Sequence, residues 1–497
     1  MNIEKKLKTQ HILLAVLTVV LLIPNIINLT GYTVETVEAF SVKLANMPVS
    51  GLLRTTAADV HPPLYYIILR SVVLLFGNAG IVYRVVSFLP YMFILLYAFF
   101  FLYKAFGVYC TAAFITFASL TTTALKYNTH IRMYSWCAMF LLLCFHEVYR
   151  ILMYNQKRDY YYLAFFTLLG GYTQYYALVT AALMYMALLV VVLVKKIPSG
   201  RTGWLQSAGL VLIGYLPWLT VFLQSVKRTA DSHWMPETEP FIQCYKSLFS
   251  ARLSIIWPTA WLIVVFVLAV RDLRKPEREK EDEGRLSPFV IWLLIGVMAV
   301  FGTILTGYLV SALTRPVFNS RYLYPASIIA WVSLAAALER VKYKRVIVLT
   351  VLPVFLVLQT LSFFNRWQTG AYREQLTKKT VEKIWEETAE GAILLSKEPL
   401  GGYDDQVIMD MGFPTAPVTD YYFRGITEEL RIDPETPEDW MLSPDKRYFL
   451  FLYEPLSEKD IRAIEEKGMH CDMLVEDGRI RNTKYTVYYL TGASPAP

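Results

Sequence analysis

Apolar runs of bilayer-crossing length recur along most of the chain, at 11–29, 81–103, 107–126, 134–153, 161–179, 180–194, 204–225, 254–270, 288–311, 321–338 and 345–364. A crossing helix needs about 20 apolar residues, so the pattern predicts about eleven spans. The stretch Leu64–Phe76 is equally apolar, but it is short, carries Arg70 and runs out at Gly77, Asn78, Ala79 and Gly80. Beyond Phe364 the pattern changes. Residues 372–388 have helical spacing, 392–396, 448–453 and 485–490 read as strands, and 457–467 opens with Ser457 and Asp460 in capping-box spacing before a helical repeat. The prediction is an all-α polytopic membrane protein over 1–364, followed by a small α/β domain over 365–497.

Lysine and arginine placement decides the sidedness, because cytoplasmic connections carry their excess. With Leu64–Phe76 lying in the interface, one side collects Lys5, Lys6, Lys8, Lys104, Lys157, Arg158, Lys195, Lys196, Arg201, the loop 271–285, and Arg340, Lys342, Lys344 and Arg345. If that stretch spanned instead, every cluster after the amino terminus would flip outward. The expectation is therefore a multi-pass plasma-membrane protein with a cytoplasmic amino terminus. Its extracytoplasmic face holds 31–63, 126–133, 170–176, 226–252, 312–321 and the C-terminal domain. The first apolar run is followed by no small-residue cleavage site and reads as a retained anchor.

Composition agrees. Hydrophobic residues make up 55% and charged residues 18% of the chain, with mean hydropathy +0.39, which excludes an ordinary soluble protein of this length. The net charge of +7 is scattered in short clusters between apolar runs, so it points to membrane orientation and not to nucleic acid. Cys110, Cys137 and Cys144 fall within apolar runs and read as packed thiols, while Cys244 and Cys471 are isolated, with no metal-ligand or disulfide spacing.

Carboxylates beside a membrane are expensive unless solvated or used, and the polar loop 31–63 carries Glu35, Glu38 and Asp59 together with His61. Glu35 and Glu38 share a face of any helix formed there. Asp59 and His61 precede Pro62 and Pro63, which fix the backbone as it re-enters apolar sequence ahead of Tyr65 and Tyr66, read here as membrane-facing. The candidate catalytic residues are Glu38, with Glu35 and Asp59 as further acids. At the outer ends of later spans, Arg132 beside His130 and Tyr134, Arg321 beside Tyr322, and Arg84 offer guanidinium forks suited to phosphate oxygens, although snorkelling explains such residues equally well. Tyr172, Gln174 and His233 add aromatic faces and polar groups where a sugar ring can stack, or where an aromatic belt would sit.

The succession Glu38-Ala-Phe-Ser41, Asp59-Val-His61-Pro-Pro-Leu-Tyr65, Phe76-Gly77, Arg84-Val-Val-Ser87 and Arg132-Met-Tyr134 resembles the polytopic C-type glycosyltransferases. In particular it resembles bacterial relatives of the protein O-mannosyltransferases and the lipid A aminoarabinose transferases. The resemblance covers roughly the first 180 residues; Gly214-Tyr-Leu-Pro217-Trp218 and Arg321-Tyr322 fit it less specifically. It departs in two places: Val37 stands where the family often has Asp, and His130 where relatives often have an acid two residues before the arginine.

The resemblance implies a polyprenyl-phosphate-linked sugar donor, a cell-surface acceptor, a catalytic first outer loop with interfacial helices, and transfer with inversion. Glu38 would take the acceptor proton, and Arg132, Arg321, His61 or Arg84 would stabilise the departing phosphate. No metal or other cofactor is implied. The competing expectations are a transporter or flippase of lipid-linked glycans and a non-catalytic scaffold. A transporter would place its polar residues at the bilayer midplane and show internal repeats, whereas here the acids gather in an outer loop.

Overall fold

Among the described residues of the computed structural model, eight helices are long and apolar enough to cross a membrane: Lys8–Leu29, Gly80–Leu120, Tyr134–Tyr154, Tyr175–Val194, Gly200–Arg228, Ile291–Leu313, Ser320–Glu339 and Lys344–Glu386. The structure describes residues 3–31, 33–231, 237–249, 267, 288–339, 342–387, 391–398, 400, 416–423, 425–480 and 483–492. The expected run at 254–270 falls almost wholly outside these, as does the loop 271–285. Leu64–Phe76 is a helix of 13 residues, too short for the ~30 Å hydrocarbon layer.

Three boundaries differ from the sequence pattern. The run 345–364 and the helical stretch 372–388 form one helix, Lys344–Glu386. The runs 81–103 and 107–126 form a single helical path broken at Gly107, whose φ of 77° is open to glycine at little cost. The division expected between 179 and 180 falls at Gln174 instead, between helices Lys157–Thr173 and Tyr175–Val194. Gln174 adopts an extended backbone, and its side chain accepts a hydrogen bond from the Ala177 amide at 3.1 Å. It is therefore the N-cap of the second helix, while Gly170 and Gly171 remain helical.

The chain divides into two compact units, one of Met1–Thr30 and Leu52–Phe363 and the other of Gly31–Gly51 and Phe364–Pro497. Within the first, the helix Leu323–Glu339 is buried along nearly its whole length and packs against Pro288–Val297, Tyr103–Leu120 and Tyr134–Tyr154. Lipid offers no hydrophobic drive between helices, so close approach through small residues replaces it. Ser327, Ser333 and Ala335–Ala337 supply that surface, and Gly296 lies so near Ser333 that a Cβ there would come within 2.8 Å of the serine Cβ. Polar bonds add to this packing. Asn128 donates to Asn25 at 3.0 Å, accepts from Tyr324, and donates to the Ala118 carbonyl at 3.2 Å. Cys110, Cys137 and Cys144 are packed in the interior.

The second unit is built on a five-stranded sheet of order β2-β1-β3-β5-β4, with β1 Ile393–Ser396, β2 Glu428–Arg431, β3 Tyr448–Leu452, β4 Met469–Ile480 and β5 Thr483–Gly492. Strand β1 runs parallel to both neighbours, and β5 runs antiparallel to β3 and β4. Leu395, Leu450, Leu490, Trp440 and Ile464 form a core on one face. The expected capping box is present: Ser457 and Asp460 bond reciprocally at the start of Glu458–Glu465. Strands β2 and β4 lie at the sheet edges and were not visible in the sequence pattern. In this unit the helix Thr36–Asn46 packs on Pro417–Tyr422, with Lys43 paired to Asp420 at 2.5 Å and the Val34 amide donating to the Tyr422 hydroxyl at 2.9 Å.

Candidate functional site

The turn at Asp59, Val60 and His61 is fastened to the carboxyl-terminal end of the helix Gly200–Asp231. Ser225 Oγ donates to the Asp59 carbonyl at 3.2 Å, and Arg228 Nη2 donates to the Ala57 carbonyl at 2.5 Å. From that fixed turn, Asp59 Oδ2 lies 2.7 Å from His61 Nδ1, and His61 Nε2 lies 2.8 Å from Arg132 Nη2. Arginine can only donate, so Nε2 must accept and Nδ1 carries the proton that goes to Asp59. The second arm of the fork, Nη1, donates to the Tyr66 hydroxyl at 3.0 Å. Arg132 is thus gripped at two points.

The electrostatics agree with this proton arrangement. Burial alone would push the Asp59 carboxyl up, but His61 beside it and Arg132 beyond more than offset that, and it titrates below its ordinary value. Burial pulls the His61 ring down, and Arg132 adds to this against the opposing pull of Asp59, so the ring is neutral at neutral pH. Burial also works against the Arg132 charge, yet Tyr66, Tyr134 and Asp59 hold it on. Burial pushes the Tyr66 hydroxyl up and keeps it protonated.

A second cation faces the same place from the far end of the sequence. Arg321 opens a helical turn capped by Asn319, whose side chain accepts from the Arg321 amide at 3.0 Å. Its guanidinium donates to the Tyr322 hydroxyl at 3.3 Å and lies 5.2 Å from the centre of that ring. Tyr322 in turn stacks on Tyr176, with centroids 4.7 Å apart and planes 11° from parallel. Arg132 and Arg321 are within electrostatic range of one another and of Tyr134, whose buried hydroxyl has no hydrogen-bond partner among the described residues. His130 stands edge-on to Tyr127, which also packs on Tyr134.

The structure therefore gathers Asp59, His61, Arg132, Tyr134, Arg321 and Tyr322, drawn from three separate stretches of sequence. Arg84 is buried within Gly80–Tyr97 of the same unit. Tyr172 and Gln174 are engaged locally: Tyr172 donates to the Gly214 carbonyl at 2.9 Å, and Gln174 caps its helix. His233 lies outside the described residues. Glu35 and Glu38 belong to the other unit, where Glu38 is buried and its carboxylate accepts from the Glu35 amide at 2.8 Å, closing a capping box. Tyr65 and Tyr66, read from the sequence as membrane-facing, are instead fully buried: Tyr65 bonds Ser87 Oγ at 3.0 Å and Tyr66 bonds Arg132. Hydroxyls one helical position apart were satisfied inward, which an aromatic-belt argument does not anticipate. Ser225 and Arg228 carried no sequence signal, because a serine near a helix end is commonplace.

No protein-family model and no curated protein matches the chain. Among solved structures it is similar to ArnT from Cupriavidus metallidurans in the apo state, with TM-score 0.57 at 11% identity over 97% of this chain and 99% of that one. It is similar also to ArnT from the same organism bound to undecaprenyl phosphate, with TM-score 0.55 at 10% identity over 96% of this chain and 97% of that one. At such identity the likeness is one of fold: the protein is a multi-pass membrane protein with the ArnT fold over nearly its whole length.

Proposed function

We propose that the protein is a membrane glycosyltransferase that moves a sugar from a polyprenyl-phosphate-linked donor to an acceptor hydroxyl at the cell surface, with inversion at the sugar. One observation carries this reading: the buried Arg132 and the half-buried Arg321 lie within range of each other's charge. Like charges brought together out of water repel, and an anion between them relieves the cost. A phosphate monoester or diester matches the forks. The ArnT structure bound to undecaprenyl phosphate supports the reading, since a chain of this fold accepts such a lipid.

In this mechanism the acceptor oxygen attacks the anomeric carbon, the bond from that carbon to the phosphate oxygen breaks, and the electron pair leaves with the polyprenyl phosphate. The leaving group is already anionic, so it needs positive charge more than a proton. Arg132 and Arg321 supply that charge. His61, neutral and hydrogen-bonded on both nitrogens, cannot act as a cation; it and Asp59 orient Arg132. Glu38 takes the acceptor proton, one of its oxygens being steadied by the Glu35 amide. The amino terminus is cytoplasmic and the C-terminal domain extracytoplasmic.

The test is reconstitution in lipid nanodiscs with radiolabelled polyprenyl-phosphate sugars and envelope glycolipid extract. A new glycosidic bond, with release of polyprenyl phosphate, is expected. Lipid-linked glycan that crosses a proteoliposome bilayer without any new bond would make the protein a transporter and overturn the proposal.

A further inference from the structure

At the carboxyl ends of β1 and β3 the second unit opens a cleft of about 430 Å³. The two strands are neighbours, but the chain leaves β1 for β2 on one side and reaches β3 on the other side only afterwards. Connections that diverge in this way part at the strand ends, which is where open parallel sheets place ligands. Residues following β1, β2 and β3 make the walls, including Glu398, Glu435 and Glu454.

Ser396, the last residue of β1, lines the cleft, is only 2% exposed, and has a hydroxyl with no hydrogen-bond partner among the described residues. Such a group is expected to find a partner, in this case from a ligand. Across the cleft Tyr453 stacks on Tyr485, with centroids 5.5 Å apart and planes at 21°, and its hydroxyl bonds Glu398 at 3.3 Å. Tyr453 remains 44% exposed. A flat ring, backed by a second ring and edged by a carboxylate acceptor, suits a pyranose: C–H groups lie on the ring while hydroxyls donate to the acid. Among the described lining residues, the four carboxylates of Glu398, Glu435, Glu454 and Asp460 are matched by Lys397 alone, so phosphorylated and uronic sugars are repelled.

We propose that this cleft is a binding site for a saccharide without acidic groups, sharing no residue with the Arg132–Arg321 site. The proposal does not depend on sugar transfer occurring there. Its test is binding to the full-length protein in nanodiscs, read by saturation-transfer NMR and calorimetry, with maltotriose, the glucosamine trimer and trigalacturonate as probes. At least one of the first two is expected to bind, with Tyr453→Ala and Ser396→Val each weakening it about tenfold or more and trigalacturonate not binding. Tyr453 is exposed, so its variant is expected to keep the wild-type unfolding temperature. Failure of both non-acidic trimers to bind, unchanged affinity in Tyr453→Ala, or equal binding of trigalacturonate would each overturn it.

Discussion

His61 accepts a hydrogen bond from Arg132 across 2.8 Å while donating its single ring N–H to Asp59, so a histidine that looks like a catalytic base is a strut for a guanidinium. It sets the plane of the fork. Lysine, a point charge without that planar geometry, cannot use both grips at once. Arg132→Lys is expected to lower kcat/KM for sugar transfer by about 10²–10³-fold, the usual scale for losing one aimed donor. Activity within about threefold of wild type would show that the phosphate is not held there.

The same pair gives stability a pH dependence whose sign is fixed. The folded His61 titrates below its ordinary 6.5, so between those values the unfolded chain takes up a proton that the folded chain refuses. Its contribution is complete above 6.5 and is lost as pH falls through the folded value. Asp59, also lowered, adds a contribution present above 3.8 and lost on further acidification. The unfolding temperature of the purified protein should drop as pH falls from 6.5 towards about 5, and His61→Asn should flatten that slope. An unchanged slope in the variant assigns it to other groups.

Glu38→Gln separates two roles that one side chain holds. Glutamine at this position keeps a carbonyl oxygen that can accept from the Glu35 amide, so the capping box survives. The proton acceptor does not. Transfer is expected to fall by about 10²–10⁴-fold at an unaltered unfolding temperature, with polyprenyl phosphate still bound in native mass spectrometry. Wild-type turnover would remove Glu38 from the chemistry.

Packing of the central helix is open to a double-mutant test. A methyl group at Gly296 would meet Ser333 Cβ at 2.8 Å, forcing the two helices apart. Gly296→Ala should cost about 1–3 kcal/mol, measured by unfolding in detergent. Ser333→Gly in the same chain should recover most of the loss, because it removes the atom that is struck; no recovery would place the strain elsewhere.

Much of this was legible in the sequence, and for identifiable reasons. Arg132, Arg321, Asp59 and His61 stand out because charge at the end of an apolar run demands an explanation; Arg132 is buried and the other three are half-buried. The strand 448–453 was visible as an unbroken apolar run. Strand β2 was not, since Glu428, Glu429 and Arg431 flank a single leucine at a sheet edge. Strand β4 mixes His470, Asp472, Glu476 and Asp477 with register shifts, which erase the alternation on which strand recognition relies. The grouping of 31–51 with the C-terminal sheet depends on contacts hundreds of residues apart, such as Val34 with Tyr422, that no local pattern encodes.

The fastening of the Asp59 turn to Ser225 and Arg228 has one more consequence. The helix that carries those two residues shows, among the described residues, a broad exposed apolar face with Leu205, Leu212, Ile213, Leu216 and Leu223, suited to contact with acyl chains. Such a helix tilts when the hydrocarbon layer thickens or thins, and any tilt pulls at the far end on the turn that aims Arg132. Membrane thickness thereby becomes an input to the reaction: turnover should differ between short-chain and long-chain vesicles, and Ser225→Ala with Arg228→Ala should make it indifferent to them.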